Sequence, residues 1–402
     1  MCDAKRIHAA LHDELPAARR LRRRLHAQPD LSGQESATLA TVLDALPAEL
    51  RSIPVADTGA TVRIGGPGPA VLLRAEMDAL PVHEATGVDW ASTRPGVMHA
   101  CGHDVHVAAA VAVSRALHRM AAPVPLLLAL QPREESYPSG ALDIVRSGRL
   151  ADEEVAAAVA AHLQPALAPG VVACVEGGVN ASSDEFEVRV EGETGHAAYP
   201  HLTADPVLAL AQVVVALQSV VSRSVDPMTP AVVGVSSIQA GSAANVVPGT
   251  ARALGSLRAL STHTRRVLHE RVVEVATAVA SAHGCTAQVT FTDGEPVLTN
   301  DAALTRSTAA RLAADGLEVC DTLRTLGADD FSYFSESVPS VMTFVGCETD
   351  RPLHGDAFLP SDADVDRVAR AMLAAYLGAV DLLTERPRDV ELVPPGTQTN
   401  FS

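Results

Sequence analysis

Val71-Leu72-Leu73-Arg74-Ala75-Glu76-Met77-Asp78 is a short apolar run that ends in two acids, and Ala79-Leu80-Pro81 closes it. The run is too short for a helix and reads as a buried strand over 71–75 with carboxylates at its end. Next comes His99-Ala100-Cys101-Gly102-His103-Asp104-Val105-His106, a thiol, three imidazoles and a carboxylate within eight residues. Its end opens an Ala/Val-rich helix over 105–120. A second apolar run, 124–130, stops at Gln131-Pro132-Arg133-Glu134-Glu135. A third, 155–161, is ambiguous by period but stops at His162. Strands alternating with helices predict an α/β sheet whose chemistry gathers at the strand ends.

Working outward, 4–27 carries a helical stripe through Leu11, Leu15, Ala18, Leu21 and Leu25. Asp30-Leu31-Ser32-Gly33 breaks it, a second helix follows over 36–46, and 61–65 is a further strand. The texture changes near Ala181. Alternation over 186–190, a helical pattern over 205–221, strands over 231–239 and 250–257, a helix over 263–282 and a strand over 287–291 give β-α-β-β-α-β. That order predicts a ferredoxin-like unit. The α/β texture resumes after Gly294-Glu295-Pro296. The expected organisation is a catalytic domain in two parts, 1–181 and 293–402, split by an insertion at 182–292. The tail from Arg386 is rich in Pro, Thr and Asn and is expected to be mobile.

A length of 402 residues exceeds one ordinary core and suits two domains. A net charge of −17 with only 3% aromatic residues excludes nucleic acid, which needs a basic face and stacking platforms. The longest apolar stretch, 207–221, is interrupted by Gln212, Gln218 and Ser219 and is too short to span a membrane. Six scattered cysteines without framework spacing are expected as reduced thiols in a cytoplasm. Lys5 is the only lysine, which rules out a phosphate-binding Gly-Lys-Ser/Thr loop and a buried Schiff base.

What remains is metal chemistry. Cys101 and His103 stand two apart, a spacing that aims both at one ion from a turn. An isolated Cys-x-His is more often a small buried thiol beside a hydrogen-bonded histidine. The clustering with Asp104, His106 and distant carboxylates turns the reading towards a metal. Adjacent Glu134 and Glu135 repel one another unless a cation or solvent separates them. One of them can bind metal while the other holds and deprotonates an attacking water. His162, His196 and His354 persuade only in this company, since a lone histidine is usually structural or exposed.

The ordered set Arg74-Ala75-Glu76-Met77-Asp78-Ala79-Leu80-Pro81, His99 to Asp104, Gln131 to Glu135, Gly195-His196-Ala197-Ala198-Tyr199-Pro200-His201, Ala244-Asn245-Val246-Val247-Pro248 and Asp329-Asp330-Phe331-Ser332-Tyr333-Phe334 resembles the amidohydrolase branch of metallopeptidase family 20. That branch includes hippurate, N-acyl-amino-acid and auxin-conjugate hydrolases and N-acetyl-diaminopimelate deacetylases. The resemblance implies a di-metal, zinc-peptidase-like catalytic domain with an inserted ferredoxin-like lid that mediates dimerisation. By motif, Cys101, His103, Glu135, His162 and His354 would hold two divalent ions, zinc, manganese or cobalt. Glu134 becomes the general base and acid, and Asp78 a carboxylate that orients a ligand. His196 would reach a neighbouring subunit's site, and Asn245 and Arg258 would grip a substrate carboxylate.

The implied reaction is hydrolysis of an N-acyl-amino acid to a carboxylic acid and an amino acid. Alternatives are a dipeptidase or carboxypeptidase on the same scaffold, or a metal-loaded binding protein without turnover. The chain departs from the branch at Glu76 (commonly Asp), Arg133 (commonly small), Ser136 to Gly140 (commonly Gly-rich) and Asp329 (commonly Glu). These departures are expected to bear on substrate choice.

Overall fold

The computed structural model describes residues 4–385, so the tail from Arg386 lies outside the described residues. The chain begins with helices α1 (Ala4–Ala27) and α2 (Ser36–Ala45), then strands β1 (Ser52–Val55), β2 (Gly59–Ile64) and β3 (Ala70–Glu76). Helix α3 (His103–Arg119), strand β4 (Leu126–Gln131), short helices α4 (Gly140–Arg146) and α5 (Arg149–Asp152), and strand β5 (Val155–Gln164) follow. Strands β6 (Val171–Ala173) and β7 (Gly177–Asn180) lead into a second layer. That layer holds β8 (Ser182–Glu191), β9 (Gly195–His196), α6 (Pro206–Leu217), α7 (Ser219–Ser224), β10 (Ala231–Ala240), β11 (Val246–Val247), β12 (Thr250–Ala259), α8 (Thr262–Ala282) and β13 (Thr286–Thr292). The chain returns through β14 (Leu298–Asn300), α9 (Ala302–Ala314), β15 (Glu318–Cys320), α10 (Ser332–Ser337), β16 (Ser340–Gly346) and α11 (Asp362–Glu385).

The main sheet has eight strands in the order β1-β2-β4-β3-β5-β16-β6-β15. Its centre, β4-β3-β5-β16, is parallel throughout, so the C-terminal ends of four strands meet at one edge. A parallel sheet is covered on both faces, and its strands are accordingly apolar at nearly every position. In β3, Val71, Leu73 and Ala75 join the core beneath α1, α3 and α11, while Leu72 joins the core on the opposite face. The 155–161 segment, ambiguous by period, is a strand buried almost end to end, because β3 and β16 flank it. Periodicity is silent for an element covered on both sides.

No strand from 182–292 enters the main sheet. The second sheet runs β10-β12-β8-β13, the order of a ferredoxin-like unit, with Leu210 of α6 and Leu268 of α8 in one core with Phe186 and Val188 of β8. The helical pattern over 205–221 resolves into α6 and α7, separated at Gln218. Cys101, Cys174, Cys285, Cys320 and Cys347 are free thiols. Among the described residues no helix is long and apolar enough to cross a membrane.

Candidate metal centre

The strand-end edge collects the acids and imidazoles of the sequence motifs. Glu76 closes β3, Gln131 closes β4 ahead of Glu134 and Glu135, His162 lies near the end of β5, and His354 follows β16. Gly102 caps α3 at φ +88°, a left-handed turn that sets Cys101 and His103 on either side of it. A Cβ at Gly102 would lie 2.8 Å from Leu163 Cδ1, so a larger residue would also have to displace the tip of that side chain. His354 is held at φ +65°, with its N–H donated to the Ala100 carbonyl at 2.8 Å.

Four groupings of potential ligand atoms lie on this edge: Glu76 with His103, His106 and His162; Glu134 with Asp329 and Asp330; and two that share Glu135. Cys101, Glu135 and His354 offer ligand atoms within 4.8 Å of one another, and so do His103, Glu134 and Glu135. His162 Nε2 lies 3.4 Å from Cys101 Sγ, and His354 Nε2 lies 3.2 Å from Glu135 Oε1. The imidazoles are aimed by their other nitrogens. His103 Nδ1 donates to the Asp78 carbonyl at 2.8 Å, and His162 Nδ1 donates to the Leu163 carbonyl at 2.7 Å. His162 therefore turns an Nε2 lone pair to the centre, and His103 does so once a cation displaces its Nε2 proton, the tautomer a metal-binding histidine needs.

The residues present fit divalent cations. His103 Nε2 is buried without a hydrogen-bond partner, a state that costs free energy unless something ligates it. Charge points the same way. Burial, then Glu135, Asp329 and Asp330, push the Glu134 carboxyl well above the usual carboxylate range. Burial lowers the pKa of His103, but Asp78 and Glu76 outweigh it and hold it at about 9. Burial and the neighbouring His106 hold His162 low, leaving it a neutral donor. The soft thiolate, imidazoles and carboxylate form a mixed donor set of the kind zinc, manganese and cobalt accept.

Asp78 sits behind the ligands. Its Oδ2 accepts from the Ser32 hydroxyl at 2.7 Å and from the Glu135 N–H at 2.9 Å. It thus orients Glu135 through the backbone as well as His103 through its own carbonyl. Ser32, which reads in sequence only as part of a helix break, is the contact that no motif marks.

Other members of the motifs point elsewhere. Asp104 accepts from Arg22 at 2.7 Å and His26 at 2.9 Å, tying the start of α3 to α1. His106 Nε2 accepts from the Leu163 N–H at 3.0 Å and its Nδ1 donates to Glu76 at 3.1 Å, so both nitrogens are engaged. Burial lowers the pKa of His99 to about 4, and it does not line the cavity. Arg133, at φ +51°, turns its side chain to Asp57 and Asp143 and away from the cavity. Of the four departures from the branch pattern, only Asp329 reaches the cavity wall.

Arg74 is the hub beneath the acids. Fully buried, it donates to Gln131 at 2.9 Å, Glu76 at 2.7 Å, Asp329 at 3.1 Å and Asp330 at 2.7 Å. Ser139 donates to Asp330 at 2.7 Å, which ties in the loop after Glu135.

A cavity of about 240 Å³ opens on this edge, lined by Cys101, Glu134, Glu135, His162, Asp329 and His354 among others. His196, Asn245 and Arg258 do not line it. His196 and Asn245 are exposed neighbours on the β9–β11 ribbon, with the Ala197 N–H donated to the Asn245 carbonyl at 3.0 Å. Arg258 lies on β12 opposite Val232 and Ser183. A larger concavity, about 530 Å³, lies on the second sheet around Glu187, Leu254 and Thr290 and holds none of the candidate ligands.

The family model for peptidase family M20/M25/M40 matches residues 72–378. The chain is 34% identical over 369 residues to N-acetyl-L-cysteine deacetylase of Bacillus subtilis, covering 90% of this chain and 87% of that protein. It is 33% identical to N-acetyldiaminopimelate deacetylase of the same organism, covering 89% of this chain and 96% of that one. Among solved structures, a Bacillus subtilis protein described as a dinuclear metal-binding peptidase of family M20 superposes with a TM-score of 0.82 at 28% identity. The match covers 92% of this chain and 99% of that one.

Proposed function

The chain belongs to peptidase family M20/M25/M40, and from that premise we propose that it is a di-metal amidohydrolase of N-acyl-amino acids. One observation carries the reading: Glu134 stands in the cavity beside Glu135, its Oε2 3.8 Å from His103 Nε2, among the proposed ligand atoms. Cys101, His103, Glu135, His162 and His354 would hold two divalent ions. Bound there, the ions would supply Lewis acidity, polarising the amide carbonyl and lowering the pKa of the attacking water. Glu134 would take that water's proton and pass it to the leaving nitrogen.

The names of the deacetylase relatives support an acyl-amino acid as substrate. Residues 182–292 would form an inserted lid through which a homodimer assembles, with His196 and Asn245 presented from its β9–β11 ribbon and Arg258 from its four-stranded sheet. Asn245 and Arg258 would hold the substrate carboxylate, for which Arg offers a two-toothed fork. A panel of N-acetyl, N-benzoyl and free dipeptide substrates tests the reading, assayed after chelation and again after adding zinc, manganese or cobalt. Acyl-amino acids should be cleaved, activity should vanish with chelator and return with metal, and two equivalents of metal should be bound. A chain that binds metal yet cleaves only dipeptides would be a dipeptidase.

His196 supplies a separate test. From a neighbouring subunit it would donate to the developing oxyanion, so His196→Ala should lower kcat about 10²–10³-fold without loss of metal. Mixing it with a Glu134→Gln chain places both defects in one site of each hybrid dimer and leaves the other site intact. Activity should recover towards one working site per hybrid dimer. No recovery despite subunit exchange would reject a shared site.

A further inference from the structure

We propose that Asn180 is a specificity-determining residue that reads the acyl half of the substrate, selecting short acyl groups that carry a hydrogen-bond donor. The inference rests on the amidohydrolase reading above. Asn180 ends β7, where its backbone is fixed by pairing with Leu298 and by a bridge to Thr325. Side chains alternate along a strand. Val179 packs into the core on one side, so the Asn180 carboxamide is turned to the other, where it forms part of the cavity wall. The residue is 6% exposed, and its Oδ1 has no hydrogen-bond partner. A buried acceptor left unpaired is costly, and a ligand that brings a donor removes that cost.

The neighbouring polar groups do not serve as that acceptor. The Thr325 hydroxyl oxygen accepts from the Gly327 N–H at 3.0 Å, and Gln164 Oε1 accepts from the Ala166 N–H at 3.2 Å. Phe344 and Leu353 supply apolar wall. Asn245, on the β9–β11 ribbon, and Arg258, on β12, both proposed to hold the amino-acid carboxylate, lie outside the cavity, which leaves the cavity to the acyl half. At about 240 Å³ it is small for an organic ligand, which favours a short acyl chain. Asn180 Oδ1 can accept from a hydroxyl or an ammonium group, and the wall offers no Lys or Arg to pair an acyl carboxylate. A purely aliphatic acyl group would leave Asn180 unpaired, and sites built around a hydrogen bond reject analogues that lack it.

The test compares N-glycoloyl-, N-glycyl- and N-propionyl-methionine, which are nearly isosteric, on the manganese-loaded enzyme and its Asn180→Leu variant. The wild type should favour glycoloyl over propionyl in kcat/KM by at least about 10-fold. The variant should lose that preference while propionyl turnover persists. The glycyl arm distinguishes a charged donor from a neutral one. An unchanged glycoloyl-to-propionyl ratio in the variant would overturn the assignment, and Asn180→Ala must move the ratio the same way should Asn180→Leu not fold. Calorimetric binding of glycolate against propionate, the acids these substrates would release, gives a readout independent of turnover. If no amide is cleaved, the amidohydrolase reading fails. Glycolate preference that is present in the wild type and lost in the variant would still support Asn180, whereas equal binding of the two acids would overturn it.

Discussion

Glu134→Gln is expected to lower kcat by about 10²–10⁴-fold while bound metal stays at the wild-type level. Glutamine keeps the size and one oxygen of the side chain but takes up no proton at neutral pH. The proposed ligand atoms, Cys101 Sγ, His103 Nε2, Glu135 Oε1, His162 Nε2 and His354 Nε2, are untouched by the change. Single-turnover kinetics on protein of measured metal content separates loss of chemistry from loss of metal. Near-normal turnover in the variant would remove Glu134 from the reaction, and loss of both metals would make it a ligand.

Arg74→Met should destabilise the fold by about 3–5 kcal/mol, because breaking a buried ion pair strands the remaining charge. Here one guanidinium faces Glu76, Asp329 and Asp330, and all four side chains are at most 5% exposed. Arg74→Lys should recover only part of the loss, since an ammonium cannot fork to several acceptors at once. The penalty carries a pH signature in chelator-treated protein. Burial, only partly offset by Arg74, pushes Asp330 up to about 7, so the folded state holds a proton that the unfolded chain has released. Stability then falls as pH rises through 7, and without Arg74 the retained protons increase. The gap between variant and wild type should therefore be wider at pH 8 than at pH 6. Denaturant unfolding at both values checks it, and an unchanged midpoint would show that Arg74 does not bear the charge of these acids.

The residue types of the candidate centre are legible in the sequence, but their directions are not. His103 and His106 stand three apart on the same helical face, yet one turns an unpartnered nitrogen to the cluster while the other ties Glu76 to Leu163. Asp104 reads as a ligand beside them, but Arg22 and His26 arrive from α1 and take its carboxylate. No local pattern encodes a partner 82 residues away. Main-sheet strands are legible where turns bound an apolar run, as at 71–75. They fade where both faces are covered, as in β5, because period 2 then leaves no mark. Asn180 escaped notice for the opposite reason: a single amide in a Gly-rich stretch has no signature until the cavity forms around it.

The strand order sets a timetable for folding. Strand β5 has β3 on one side and β16 on the other, and β16 is made only after the whole 182–292 span has emerged. That span closes its own core from contacts within itself and so completes early on the ribosome. Until Ser340–Gly346 is synthesised, Val155–Gln164 is an unpaired, apolar sheet edge, a ready template for intermolecular pairing. His354 comes later still, so the centre cannot be complete until that late segment has emerged. A stalled or truncated polypeptide would be both inert and prone to aggregate, and the strand that shields the edge is also the one that carries the last ligand into reach.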